Sequence, residues 1–274
     1  MNALLHTTKN CTIIFVMTDN KSEQIISFCR ANGINLYVGN PRNEQAQSFV
    51  ADFDIDVLLS VNYLYIIKKK LISLPKIIAF NIHGSLLPKY RGRTPHVWAI
   101  INNENEVGVT AHLIDEGCDT GDVIKQVVVP VEKQDTGADI LSKYQAVYLS
   151  LIDDVLRLIR RGELAVVPQN HLNATYFGKR TPEDGKISWN WQKERIKNWV
   201  RAQSFPYPGA FTFFDGQRVI IDEVLFSDKG YSYDMPNGLI ISKVPLLVKT
   251  PNGVLEITKI RNDVNAFEVE KMFL

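Results

Sequence analysis

The sequence predicts an α/β protein with a doubly wound, mostly parallel sheet, followed by a smaller, open β-barrel-like domain. Through the first half of the chain, short apolar runs alternate with helical patterns, as in parallel sheets with crossover helices. Towards the C-terminus, short strand patterns are separated by Asp-Gly and Asn-Gly turns, which favour antiparallel hairpins. We expect an N-terminal domain over residues 1–168, a linker over 169–186 and a β-rich domain over 187–274.

The individual elements follow from apolar runs and from the residues that bound them. The run CTIIFVMT predicts a buried strand over 11–18, and the next helix begins at Ser22 and ends before Asn32-Gly33. The remaining N-terminal predictions are strands over 34–38, 56–61, 77–80 and 107–113 and helices over 44–52, 68–74 and 139–161. In the C-terminal domain we expect a helix over 192–202 and strands over 210–214, 217–221, 238–241, 246–250 and 254–259.

The stretch from Phe80 to Asp122 carries the residues best suited to chemistry. An apolar strand delivers Asn81 and His83, which share one strand face, to a Gly-Ser turn. After the next strand, a glycine-flanked loop carries Asp115, Asp119 and Asp122. An amide, an imidazole and a carboxylate at strand ends suit acyl transfer to an amine, which needs an oxyanion donor, a base and a group that orients the base.

Each of these residues also has a structural interpretation. Asn81 could cap the turn, and a histidine such as His83 is more often structural than catalytic when it stands alone. We expect His96, His112 and His171, which lack such neighbours, to be structural. Three carboxylates in one loop could also hold a metal ion, but we expect hydrogen bonding and no metal.

A second candidate site is the loop Tyr90-Arg91-Gly92-Arg93-Thr94-Pro95. Its two guanidinium groups suit a diphosphate through charge-assisted, bidentate contacts. The alternative is an ordinary solvated loop. The chain contains neither GxGxxG nor GxxxxGK[ST], so dinucleotide binding is disfavoured despite the fold class.

Composition restricts the partners and the compartment. The 274 residues are 45% hydrophobic and 22% charged, and the formal net charge is +1, which gives little attraction to nucleic acid. Three cysteines without a CxxC pair indicate a reducing cytoplasm and argue against zinc. No apolar run is long enough for a membrane span.

Because Phe211, Phe213 and Phe226 exceed what a small core can hide, we expect a homodimer.

The segment FNIHGSLLPKYRGRTP resembles the core signature of formyltransferases that use N10-formyltetrahydrofolate. The resemblance continues through FGKRTPEDGKISW at 177–189 and VRAQSFPYPGAF at 200–211. It is most similar to the branch that formylates nucleotide-linked amino sugars, and it also resembles methionyl-tRNA formyltransferase. Family members open with a strand, a glycine-containing turn and a helix. Because Met1 to Thr8 resembles the end of that helix, we expect a Rossmann-like core that lacks the usual first strand.

The resemblance also implies roles for individual residues. Asn81, His83 and Asp119 match the family's catalytic residues. The residues implied for the folate co-substrate are Asn62, Tyr63, Leu64, Tyr65, Asp115, Gly117 and Asp122. Those assigned to the acceptor are Ser85, Tyr90, Arg91, Arg93 and Thr94. The aromatic residues after the third strand could equally belong to the core.

The hypothesis is therefore an enzyme that moves a formyl group from N10-formyltetrahydrofolate to a nucleotide-linked amino sugar. We expect dTDP-4-amino-4,6-dideoxyhexose as acceptor, with a UDP-4-amino pentose as the alternative sugar, in O-antigen or other surface polysaccharide synthesis. One alternative is methionyl-tRNA formyltransferase, for which a longer and more basic chain is expected. A second alternative is a non-catalytic ligand-binding relative.

Overall fold

A computed structural model describes residues 11–264 and 266–274. The predicted end of a first helix, over Met1 to Thr8, lies outside the described residues. The strands are β1 Phe15–Thr18, β2 Asn35–Val38, β3 Val57–Val61, β4 Ile78–His83, β5 Arg91–Gly92, β6 Glu106–Leu113, β7 Val123–Pro130, β8 Tyr176–Phe177, β9 Ala210–Phe214, β10 Gln217–Ser227, β11 Ile240–Lys243, β12 Leu246–Thr250 and β13 Gly253–Ile260. The helices are α1 Glu23–Ala31, α2 Glu44–Val50, α3 Lys69–Ile72, α4 Pro95–Ile101, α5 Gly137–Arg161 and α6 Lys193–Gln203.

The chain divides into two compact units that interleave in sequence. The first unit comprises the described residues up to Gly92, with Gly108–Val129 and Tyr144–Tyr176. The second comprises Arg93–Val107, Pro130–Lys143 and the described residues of Phe177–Leu274. The predicted domain boundaries at residues 168 and 187 stay a prediction.

The first unit contains the α/β architecture that the sequence predicts. β1 and β2 form a parallel pair, and a four-stranded sheet has the order β3-β4-β6-β7. β3 and β4 run parallel, whereas β6 is antiparallel to β4. A hydrophobic cluster beneath these strands includes Val50, Ile55, Leu58 and Ala79, because apolar side chains of α2, β3 and β4 share one layer.

The second unit is built on an antiparallel sheet. Its strand order is β11-β12-β13-β10-β9, and the 11-residue strand β10 pairs with β9 and β13. The register of β10 against β13 shifts on both sides of Glu223, and such irregularities increase strand twist. This curled sheet confirms the predicted β-barrel-like fold class.

Several predicted boundaries are wrong in instructive ways. Ile77, predicted to be a buried strand residue, is 59% exposed, and β4 begins one residue later. β1 begins at Phe15, four residues after its predicted start. β7 and α4 were not predicted. The strand β7 escapes a periodicity argument because Lys125 and Gln126 interrupt an otherwise apolar run.

Two of the three phenylalanines on which the homodimer prediction rests are largely covered within the second unit. Phe211 is buried and stacks edge-on against the half-buried Phe213, so neither is a surplus surface residue. Phe226 is 46% exposed, and the ammonium groups of Lys193 and Lys197 lie over its ring. The oligomeric state stays a prediction.

No helix of the described chain is both long and apolar enough to cross a membrane.

His96, at the start of α4 in the second unit, should make stability depend on pH. Its Nε2 lies 2.8 Å from the Tyr207 hydroxyl, and burial lowers the pKa of His96 to about 4 from 6.5. The unfolded chain therefore binds a proton at His96 at pH values at which the folded chain does not. Between about pH 6.5 and pH 4, the free energy of unfolding should fall by about 2 to 3 kcal/mol as pH drops.

Urea unfolding at a series of pH values measures this effect. His96→Gln keeps a hydrogen-bonding side chain without a titrating ring, so its unfolding free energy should change less over the same range. Equal pH dependence in the wild type and the variant would contradict the assignment to His96.

Candidate active site

The site begins with the pairing of two neighbouring strands in the first unit. Antiparallel pairing of β4 and β6 sets Asn81 opposite His112 and His83 opposite Thr110. The His83 and His112 rings lie edge to face, with centroids 6.4 Å apart. His83, His112 and Thr110 are all buried, so three polar side chains stand together inside the protein.

His83 has one ring nitrogen committed to the backbone. Its Nε2 lies 2.9 Å from the Tyr90 carbonyl oxygen, which can only accept, so we assign the ring hydrogen to Nε2. The other nitrogen, Nδ1, lies 3.6 Å from Oδ2 of Asp119. Any additional proton on this ring must therefore reside on Nδ1, next to the carboxylate.

His112 has the opposite tautomer. Its Nδ1 lies 2.7 Å from the Leu113 carbonyl oxygen, which assigns the hydrogen to Nδ1. Nε2 then accepts from the Asn81 amide at 3.1 Å and lies 3.7 Å from Oδ1 of Asp119. Burial lowers the pKa of His112, although the Asp119 carboxylate acts in the opposite direction. A neutral ring here fixes the direction of the Asn81 amide.

The loop that presents Asp119 has a constrained backbone. Asp119 adopts a left-handed conformation with φ of 55°, which costs an L-residue on the order of 1 kcal/mol. Its Oδ2 accepts a hydrogen bond from the Gly92 N–H at 2.9 Å. Nearby, Asp115 accepts hydrogen bonds from the Gly117 N–H at 3.1 Å and from the Thr120 hydroxyl.

Together these groups can perform general base and oxyanion chemistry. Nδ1 of His83 carries the ring's lone pair and lies 3.6 Å from the Asp119 carboxylate, which is the geometry expected of a general base with a partner that orients it. Among the described residues, Asn81 uses one amide N–H for His112, so the second can donate to an oxygen that becomes negative. The structure thus gathers the three residues predicted to be catalytic, while their roles remain a prediction.

The residues predicted to meet the folate lie in two loops. In the loop after β3, Asn62 has φ of 51° and its Oδ1 accepts from the Tyr148 hydroxyl at 3.5 Å. Tyr63 packs against the hydrophobic core and edge-on against Tyr65, while Leu64 is 46% exposed. Burial raises the pKa of Tyr63 to about 12. In the other loop, the Asp122 carbonyl accepts from the Leu113 N–H at 2.9 Å.

Arg91 fits neither interpretation of its loop. Its side chain is 1% exposed, so it is neither solvated nor presented to a diphosphate. The guanidinium donates to Gln169, to the Tyr176 hydroxyl and to Nδ1 of His171. The pattern missed this burial because all three partners come from about 80 positions later in the chain.

The other residues assigned to the acceptor differ in exposure. Ser85 is buried and donates to the Lys89 carbonyl at 2.7 Å, and the Tyr90 N–H donates to the Thr175 hydroxyl at 2.8 Å. In the second unit, Arg93 is exposed. Thr94 has φ of 48°, and its hydroxyl is buried with no hydrogen-bond partner among the described residues.

The prediction that His112 is merely structural overlooked a residue of the site. Its signal was present in β6, where Thr110 and His112 occupy alternate positions of an apolar strand that neighbours β4. Gln169, which contacts both Arg91 and the Asp119 loop, had no local signal. Over the described chain, no three His, Cys, Asp or Glu side chains gather in a metal-binding group. The absence of a metal remains a prediction.

The fold and the gathered residues define a class of protein: an α/β enzyme suited to acyl transfer. The chain belongs to the formyl transferase family, because residues 2–156 match the Formyl transferase domain and residues 179–273 match the Formyl transferase C-terminal domain. It is therefore a formyltransferase.

Three solved structures with similar folds are informative. WlaRD, a sugar 3N-formyl transferase crystallised with dTDP and 5-N-formyl-THF, is 23% identical with a TM-score of 0.67, covering 96% of this chain and 94% of its own. A 4-N formyltransferase from Francisella tularensis is 21% identical with a TM-score of 0.68, covering 80% and 90%. Methionyl-tRNA formyltransferase from Clostridium thermocellum is 21% identical with a TM-score of 0.58, covering 79% and 94%.

Gly121 tests how closely the Asp119 loop must approach β6. A Cβ at this position would lie 2.0 Å from the Leu113 carbonyl oxygen, and this backbone group cannot rotate away. Gly121→Ala should therefore displace the loop and lower kcat by about 100-fold, the size of effect seen when a reacting group is misplaced by about 1 Å.

Formyl transfer and thermal unfolding should be measured together on Gly121→Ala. The matched control is Gly178→Ala, because a Cβ at Gly178 meets nothing within 4 Å. A wild-type kcat in Gly121→Ala would show that the loop tolerates displacement.

Proposed function

We propose that this formyltransferase moves a formyl group from N10-formyltetrahydrofolate to the amino group of a nucleotide-linked amino sugar. The first candidate acceptor is dTDP-4-amino-4,6-dideoxyhexose. The observation that carries the proposal is the position of His83 Nδ1 beside the Asp119 carboxylate, with the Asn81 amide on the same strand. The similar fold of WlaRD, a sugar 3N-formyl transferase whose structure was determined with dTDP and 5-N-formyl-THF, supports it.

In the proposed mechanism His83 acts as the general base. The acceptor amine must be neutral to attack the formyl carbon, so Nδ1 takes a proton from its nitrogen as the C–N bond forms. The Asp119 carboxylate, 3.6 Å from Nδ1, stabilises the imidazolium that results. The hydrogen bond from Nε2 to the Tyr90 carbonyl keeps the ring oriented throughout.

Asn81 is proposed to stabilise the tetrahedral intermediate. As the amine adds, the formyl oxygen becomes negatively charged, and the second N–H of the amide donates to it. Collapse of the intermediate breaks the bond to N10, and the proton that His83 took from the amine passes to N10, so that tetrahydrofolate leaves and His83 is neutral again. The Asn62 to Tyr65 loop is proposed to contact the pterin. Because the Arg91 side chain is buried, the exposed Arg93 is proposed as the guanidinium that meets a diphosphate.

The catalytic roles predict a separation of turnover from binding. Asn81→Ala should lower kcat by roughly 10²- to 10³-fold and His83→Gln by roughly 10²- to 10⁴-fold. The affinity for the nucleotide sugar should stay within a few-fold, because both groups act in the transition state. Steady-state kinetics and calorimetry on the same preparations measure the two quantities.

Asn32→Ala is the matched control for Asn81→Ala. Its exposed amide donates to the Phe28 carbonyl at the end of α1, so it should leave kcat unchanged. If His83→Gln retains more than about a tenth of wild-type kcat, general base catalysis by His83 is wrong, given the contribution such bases normally make.

The acceptor class requires a separate experiment. Release of tetrahydrofolate should be followed with dTDP-4-amino and dTDP-3-amino sugars, UDP-4-amino pentose and methionyl-tRNA at matched concentrations. A net charge of +1 gives little long-range attraction to RNA, so the sugars should react faster. Faster formylation of methionyl-tRNA would refute the proposal, and so would the absence of turnover with every sugar amine.

A further inference from the structure

Gln169 is a buried residue whose amide is completely hydrogen-bonded within the first unit. Its Oε1 accepts from Arg91 Nε at 3.2 Å and from Arg91 Nη2 at 2.6 Å. Its Nε2 donates to the Asp119 carbonyl at 3.0 Å and to the Gly121 carbonyl at 2.6 Å. Two donated and two accepted bonds use the whole capacity of a primary amide.

The partners of Gln169 fix the direction of its amide. A guanidinium can only donate, and backbone carbonyls can only accept. Rotation of the amide by 180° would therefore place N–H groups against the N–H groups of Arg91 and an oxygen against two carbonyl oxygens. Gln169 thus holds Arg91 and the Asp119 loop in one relative arrangement.

Asp119 needs such a restraint because its backbone is left-handed. Conformations of this kind persist where surrounding contacts determine them. Gln169 grips the carbonyls of Asp119 and Gly121, while the Gly92 N–H grips the Asp119 carboxylate. Gly92 follows Arg91 directly in β5. This short strand therefore restrains the Asp119 carboxylate through the Gly92 N–H, and the Asp119 carbonyl through Arg91 and Gln169.

The buried guanidinium of Arg91 holds the Gln169 amide in place. A buried cation is costly unless hydrogen bonds satisfy it. Within the described residues, its side-chain hydrogen bonds go to uncharged groups: Gln169, the Tyr176 hydroxyl and the Nδ1 lone pair of His171. Hydrogen bonds from a charged donor are shorter and stronger than neutral ones, which makes the guanidinium a firm anchor for the Gln169 amide.

We propose that Gln169, anchored by Arg91, is a positioning residue that holds the Asp119 carboxylate against His83. It acts through the peptide groups of the loop and does not touch the reacting atoms. The inference rests on the proposed role of Asp119 in formyl transfer.

Gln169→Glu is the informative variant because it separates the two halves of the contact. The carboxylate keeps the acceptor for Arg91, so the cation stays satisfied and the fold is retained. The glutamate side chain has no N–H to donate to the Asp119 loop, and its second oxygen faces two carbonyl oxygens. With both substrates saturating, kcat should fall about 10- to 100-fold while both KM values stay within about threefold.

Gln203 offers a matched control in the second unit. It is also buried, its Oε1 accepts from Arg180 Nη2 at 3.1 Å, and its Nε2 donates to the Trp199 carbonyl at 2.9 Å. Gln203→Glu makes the same chemical change beside an arginine and should keep kcat within about twofold. A comparable loss of kcat in both variants would overturn the proposal in favour of general destabilisation.

A double-mutant cycle decides whether Gln169 acts through Asp119. Single-turnover rates should be compared for Asp119→Asn with and without Gln169→Glu. A positioning role predicts that Gln169→Glu costs less than about twofold once the carboxylate is gone. An undiminished cost in the Asp119→Asn background, or a wild-type kcat for Gln169→Glu alone, would overturn the inference.

The same cycle separates failure of this inference from failure of the proposed function. If Asp119→Asn alone keeps wild-type kcat, the proposed role of Asp119 is wrong and the inference falls with it. If Asp119→Asn is slow while Gln169→Glu is unaffected, the role of Asp119 stands and Gln169 has no part in positioning it.

Discussion

The antiparallel register between β4 and β6 is the constraint on which the candidate site depends. It sets Asn81 opposite His112 and His83 opposite Thr110. Because side chains alternate between the faces of a strand, a shift of one residue would turn these polar groups away from each other. The same register lets the Thr110 hydroxyl donate to the Ser85 carbonyl at 2.6 Å, which fixes the turn after His83. The Asp119 carboxylate lies beside the two histidines that this register brings together.

The imidazoles of His83 and His112 carry their ring hydrogen on different nitrogens. Both rings face the Asp119 carboxylate at 3.6 to 3.7 Å. The N–H of His83 donates to the Tyr90 carbonyl, and its other ring nitrogen faces the carboxylate. In His112, the nitrogen without a hydrogen accepts from the Asn81 amide. One carboxylate therefore lies beside both rings, but only the ring of His112 contacts the Asn81 amide among the described residues. The asymmetry comes from backbone geometry, since the two side chains are chemically identical.

The sequence predicts those parts of the protein that have local patterns. The strand before His83, the amphipathic helix ending at Arg161 and the glycine-flanked loop around Asp119 each carry their own signal over a few residues. Gln169 and Arg91 do not, because each is defined by a partner 78 positions away. A glutamine in a polar stretch suggests a linker, and an arginine before glycine suggests a solvated loop. Burial supplied by distant segments reverses both interpretations.

The same sequence separation bears on how the protein is made. Contacts such as Tyr90 with Thr175, 85 positions apart, close only after a long loop has been ordered. During synthesis β4 can pair with β3 early, but the guanidinium of Arg91 has no acceptors until the segment from Gln169 to Tyr176 has emerged from the ribosome. Until then, burying that cation is unfavourable. The loop that carries Asp119 can therefore acquire its full set of restraints only once the chain has been made as far as Tyr176, well after the last strand of the β3-β4-β6-β7 sheet.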